Sequence, residues 1–209
     1  MNTIEECYNS FIQIYDDYNE MLSDSTILYQ QNVGYEGHTF SKKIYDAIVE
    51  HCFMQIFLAW ENFLENSFIL YLNASADLQG DTYVRYGIPK DNEHAYNMLK
   101  GTKNYPDWTN INDVKCLANI YFENGGPYSI IDNVPVEFDD IKNIRNRISH
   151  VSEKSIKAFE RVLAKTIVQI TNVSVGDFLM MFKDNKQTYF SYYMEHLKGY
   201  VEAICNKSV

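Results

Sequence analysis

The sequence predicts an all-α protein, a helical bundle with additional flanking helices. Three observations carry that expectation. Apolar residues recur at three-to-four spacing through most of the chain, no segment alternates cleanly with period two, and clusters of Gly, Pro and Asn separate the periodic stretches. With 209 residues, 46% hydrophobic and 15% aromatic, the chain can bury a core and does not have a disordered composition.

Residues 3–30 form a first amphipathic helix, with Ile4, Tyr8, Phe11, Ile12, Tyr15 and Tyr18 at helical spacing. Gly34 and Gly37 mark a loop. A long helix over residues 41–73 carries Ile44, Ile48, Phe53, Ile56, Phe57, Trp60, Phe63, Leu64 and Phe68 on one broad apolar face. That width suits a central helix covered on more than one side. Residues 77–108 are irregular, broken by Gly80, Gly87, Pro89, Gly101 and Pro106, with a short helix over Asn92–Lys100. Asn110 has the character of an N-cap for the next helix, which presents Val114, Leu117, Ala118 and Tyr121. Asn124-Gly125-Gly126-Pro127 stops it, and residues 128–131 suit a small extended piece.

Pro135 suits the first turn of the following helix, where Glu137, Asp139 and Asp140 favour its positive end. Phe138, Ile141, Ile144 and Ile148 form its buried stripe. Ser152 or Glu153 opens a helix to about residue 173, Gly176 breaks it, and helices over 177–181 and 187–205 complete the chain. The organisation is one domain: an N-terminal helix in residues 1–35, a core in 40–175 and C-terminal helices in 176–209.

Polar residues interrupt every apolar run well short of the roughly 18 residues needed to cross a membrane. The acidic start, Met1-Asn2-Thr3-Ile4-Glu5-Glu6, lacks the basic-then-apolar order of a signal peptide. Cys7, Cys52, Cys116 and Cys205 are scattered, without zinc spacing or a dense disulfide pattern. They read as reduced, mostly buried thiols of a cytoplasmic protein. His51, His94 and His196 are isolated. With no metal-ligand spacing, no glycine-rich phosphate loop and no nucleophile elbow, neither metal nor cofactor is expected.

The net charge of −10 argues against a surface coated for nucleic acid. Its distribution is uneven. Residues 1–50 hold nine acids against Lys42 and Lys43, whereas residues 141–170 hold seven cations against Glu153 and Glu160, leaving +5. That pattern favours a local anionic ligand.

The basic stretch contains Ile144-Arg145-Asn146-Arg147-Ile148-Ser149-His150 at a helix end. Arginine holds its charge and matches phosphate in a planar fork, while histidine gives or takes a proton near neutral pH. Together they can carry phosphodiester chemistry without a metal. Asn146 and His150, four apart, share a helix face, and the long Arg145 side chain can cover its offset of about 100° from Asn146. The structural alternative stays open: Arg145 paired with an acid, and His150 a cation at a helix C-terminus.

The run resembles the signature of HEPN domains, in which Arg, a polar residue and then His occur in that order. Phe57-Leu58-Ala59-Trp60-Glu61-Asn62-Phe63-Leu64-Glu65 resembles the Trp-Glu segment of the RiboL-PSP-HEPN branch. Trp108, Ala118-Asn119-Ile120-Tyr121-Phe122 and Gly126-Pro127 are similar to its middle, and Gly176-Asp177-Phe178-Leu179 to a downstream segment. The resemblance spans roughly residues 40–205. It implies a metal-independent endoribonuclease whose catalytic residues are Arg145, Asn146 and His150, with Arg147 and Ser149 as supporting candidates. Glu61, in an apolar stretch of the long helix, is either a rim carboxylate in water or, if it faces inward, needs a partner, for which Arg145 is the candidate; it would then orient that arginine. The resemblance further implies an RNA substrate, a homodimer with a composite site, and a toxin or anti-phage defence setting with an antitoxin or defence-system partner. The competing expectation is a noncatalytic HEPN module that binds RNA, a nucleotide or a partner protein.

Overall fold

The computed structural model describes residues 1–32, 40–100, 106–133, 137–166 and 173–206. The fold is all-α. The helices are α1 (Ile4–Asn32), α2 (Lys42–Leu72), α3 (Asn92–Lys100), α4 (Ile111–Tyr121), α5 (Glu137–Ser149), α6 (Glu153–Leu163), α7 (Val175–Met180) and α8 (Tyr189–Ile204). A 3₁₀ segment, Glu123–Asn133, lies between α4 and α5. Among the described residues the only β pairing is two isolated bridges, Arg85 with Phe122 and Phe182 with Thr188. No helix of the described residues is long and apolar enough to cross a membrane.

The chain divides into two units, Met1–Gln13 with Ala59–Pro135 and Leu197–Val209, and Ile14–Leu58 with Val136–His196. In the first, the buried Phe68 ring has Tyr128 at 4.7 Å, Phe122 at 5.4 Å and Trp108 at 5.7 Å between centroids. Such aromatic pairs add to the apolar burial of each ring. Two buried tyrosine hydroxyls of this core are matched inside it. The Tyr128 hydroxyl shares a 2.7 Å hydrogen bond with Ser67 Oγ, and the Tyr71 hydroxyl donates to the Ile204 carbonyl at 2.8 Å. Gly126 adopts φ +51°, and a Cβ there would stand 2.8 Å from Phe122 Cβ. A side chain would both strain the backbone and displace a core ring.

The second unit gathers Val49, Phe53, Ile56 and Phe57 of α2, Ile141 and Ile144 of α5, Phe159 of α6, Phe178 of α7 and Phe190 of α8. Phe178 stacks on Tyr189 at 4.5 Å and meets Phe159 edge-on at 5.6 Å. Ser152 caps α6 by accepting from Ser155 N–H at 3.2 Å, and Ser174 caps α7 by accepting from Asp177 N–H at 3.0 Å.

Several sequence expectations are corrected. On α2, Ile44 is 43% exposed and Ile48 half-buried; Tyr45 and Val49 are buried instead. Tyr45 is drawn inward by stacking on Tyr29 at 4.6 Å and a 2.9 Å bond between its hydroxyl and Thr26 Oγ1. Ile148 is half-buried rather than part of the core stripe. The piece expected to be extended at residues 128–131 is 3₁₀. Helix α6 ends at Leu163, where Lys165 and Thr166 amides tighten to i−3 carbonyls and Thr166 Oγ1 donates to the Leu163 carbonyl at 2.6 Å. The cysteines are mostly buried, as expected, with Cys116 exposed and the other three inside. The readings placed on Gly34, Gly37, Gly101, Pro135 and the 167–172 part of the longer helix lie outside the described residues.

Gly176 does not break a helix; it lies within α7 because the backbone of α2 passes so close. A Cβ there would stand 2.9 Å from Asp46 Cα. Its amide donates to Glu50 Oε1 at 3.2 Å, and Lys42 bridges Asp46 and Asp177 beside it. Gly176→Ala therefore forces α7 away from α2 and is expected to cost about 1–3 kcal/mol, the range for overpacking a tight contact. Urea denaturation of the variant measures this; unchanged stability would show that the approach yields freely.

Candidate functional site

Burial of Phe138, Ile141 and Ile144 sets the rotation of α5. The next residues emerge at its edge: Arg145, Asn146 and Arg147 are half-buried, and Ser149 and His150 are exposed. Arg145 reaches across to its neighbour, its Nη1 donating to Asn146 Oδ1 at 3.4 Å. The Arg145 Cζ lies 5.9 Å from the centre of the buried Phe57 ring, and its Nε is shielded from water. An arginine over an aromatic face is attracted by the ring quadrupole, most strongly when partly desolvated.

His150 stands one residue beyond α5, yet its amide still donates to the Asn146 carbonyl at 3.0 Å. Its own carbonyl accepts from Ser155 Oγ of α6 at 2.7 Å and from Arg147 Nη1 at 3.5 Å. The backbone is thus tied at both ends of the α5–α6 connection. The imidazole is exposed, and among the described residues it has no hydrogen-bond partner. A fixed backbone with an open ring suits a group that meets an incoming ligand.

Three residues of α2 border this helix end: Phe57 under Arg145, Met54, whose sulfur receives a weak 3.9 Å contact from Ser149 Oγ, and Glu50, whose charge is felt by Arg147. At positions i, i+4 and i+7 they share one face of α2. The sequence places Phe57 in an apolar face but says nothing of a ring beneath Arg145; only the packing of α2 against α5 reveals it. Glu61 is half-buried on the part of α2 that belongs to the first unit.

The cations around the motif are partly matched. Lys165 pairs with the buried Asp140 at 2.5 Å, and Lys157 with Glu153 at 2.6 Å. Among the described residues no three His, Cys, Asp or Glu side chains gather closely enough to hold a metal ion. Cavities of about 540 and 300 Å³ lie in the first unit, lined respectively by residues that include Tyr8 and Asp77, and Leu99 and Cys116. Neither includes a motif residue.

Burial, with a smaller push from Asp46, raises the Glu50 carboxyl above its ordinary 4.5, despite the Gly176 N–H and Arg147. A raised folded value means that this group's stabilising contribution is complete below pH 4.5 and is lost as pH climbs through the folded value. Glu50→Gln keeps an acceptor for Gly176 without the titration. The variant should therefore gain on wild type between about pH 4 and 7 in urea midpoints, whereas a growing wild-type advantage would mean that Arg147 outweighs burial.

Comparison of the chain with protein-family models, curated proteins and solved structures found no match.

Proposed function

We propose that the chain is a metal-independent endoribonuclease of HEPN type, with its chemistry at the C-terminal end of α5. The observation that carries this reading is the pairing of an open His150 imidazole, set on a tied backbone, with an Arg145 guanidinium braced by Phe57 and touching Asn146. The motif's resemblance to the HEPN signature supports the same assignment.

In the proposed reaction the ribose 2′-oxygen attacks the adjacent phosphorus and the bond from phosphorus to the 5′-oxygen breaks. His150 takes the proton of the 2′-hydroxyl or returns one to the departing oxygen. Arg145 meets the charge that develops on the non-bridging oxygens. Asn146 orients Arg145 through its side-chain oxygen. Two copies would bring their α5 ends together in a composite cleft, so that two local positive fields add despite the net charge of −10. Such an enzyme fits a toxin or defence effector held in check by a partner protein.

The acidic total, with its one clearly basic stretch confined to residues 141–170, favours a second reading, a noncatalytic module that binds RNA, a nucleotide or a partner. Incubation of the purified protein with total RNA in EDTA separates the two. Cleavage is expected, with His150→Ala reducing it by about 10²- to 10⁴-fold, the usual weight of a general acid–base. Arg145→Lys should fail as well, since an ammonium lacks the planar fork. No cleavage of any RNA offered, or undiminished cleavage by His150→Ala, would remove the catalytic reading.

A further inference from the structure

The outer face of α6 carries a line of cations that begins at the His150 connection. Lys154, Lys157 and Arg161 are all exposed, and at positions i, i+3 and i+7 they form one stripe. Glu153 and Glu160 fall together on the adjacent stripe. Among the described residues, Lys154 and Arg161 have no hydrogen-bond or ion-pair partner. Lys157 has only the exposed pair with Glu153, of a kind worth little in water.

The placement of this stripe links it to the motif. Ser155 Oγ holds the His150 carbonyl, so the first turn of α6 is fixed beside the candidate site. Helical side chains lean toward the N-terminus of their helix, which tilts all three cations toward His150. Val151, 85% exposed, adds apolar surface at the connection where the stripe begins, whereas the partly exposed Ile156 lies beyond the glutamates on the other edge of α6. From Lys154 to Arg161 the helix rises about 10 Å, at about 1.5 Å per residue, room for more than one phosphate.

We propose that the Lys154–Lys157–Arg161 face of α6 binds the phosphates of single-stranded RNA next to the one presented to His150. This rests on the ribonuclease reading and deepens it by naming the substrate class. A single strand is favoured on chemical grounds. Attack by the 2′-oxygen needs that oxygen in line with the departing 5′-oxygen, an arrangement that a stacked duplex resists. The exposed Val151 between His150 and the stripe also suits a strand whose riboses and bases are free to make contact.

The test measures binding of a single-stranded RNA oligonucleotide as a function of salt, in a His150→Ala protein so that cleavage does not interfere. Lys154→Gln with Arg161→Gln is the comparison, with far-UV circular dichroism confirming that helicity is kept. Each phosphate contact contributes about 0.7 to the slope of log affinity against log salt for single strands, so losing two should lower the slope by about 1.4. Duplex RNA of the same length should bind more weakly than the single strand. An unchanged slope, equal or tighter duplex binding, or binding of polyglutamate in place of RNA would overturn the proposal; the last outcome would assign the face to an acidic protein. Because binding is read without cleavage, failure of the catalytic reading appears separately, as intact RNA in the EDTA assay.

Discussion

The site depends on how α5 is turned. Phe138, Ile141 and Ile144 must face the core, since exposing any of them would cost on the order of 2 kcal/mol. Once they are buried, the period of about 3.6 residues leaves little choice for the rest of the helix. Arg145 emerges at the edge of the core with Phe57 beneath it, Asn146 comes within reach of the guanidinium, and the chain leaves the helix at His150. Chemistry at the helix end is thus placed by apolar packing in its earlier turns.

Polar interactions then hold the edge that the packing has defined. The His150 amide closes the last helical bond of α5, and its carbonyl accepts the Ser155 hydroxyl. Ser155 is buried, so this bond is little disturbed by water, and its loss would leave a buried hydroxyl with only the Ser152 carbonyl at 2.8 Å. Across the connection, the Lys42 bridge to Asp46 and Asp177 and the close approach at Gly176 fasten α7 to the same part of α2 that supplies Glu50. The stripe of Glu50, Met54 and Phe57 is held from one side while it borders the motif on the other.

Much of this was legible in the sequence because it rests on local rules. The N-caps at Asn110 and Ser152, the short helix Asn92–Lys100 and the Ile141 and Ile144 stripe arise from hydrogen-bonding side chains and period alone. The errors have a common cause in contacts between elements. Tyr45 takes the inward place expected of Ile44 because Tyr29 and Thr26 meet it, and Gly176 serves close packing although glycine reads locally as a breaker. In the site, the order of Arg145, Asn146 and His150 is a sequence motif, but the ring below Arg145 and the serine that holds His150 come from tertiary structure.

The most direct test of the proposed chemistry is the nature of the ends that cleavage leaves on RNA. If His150 and Arg145 promote attack by the 2′-oxygen, upstream fragments must end in a 2′,3′-cyclic phosphate or the phosphate derived from it. Downstream fragments must begin with a 5′-hydroxyl, which polynucleotide kinase labels without prior phosphatase treatment. Fragments beginning with a 5′-phosphate, with free 3′-hydroxyls upstream, would mean that water or another nucleophile attacks and would contradict the roles given to both residues.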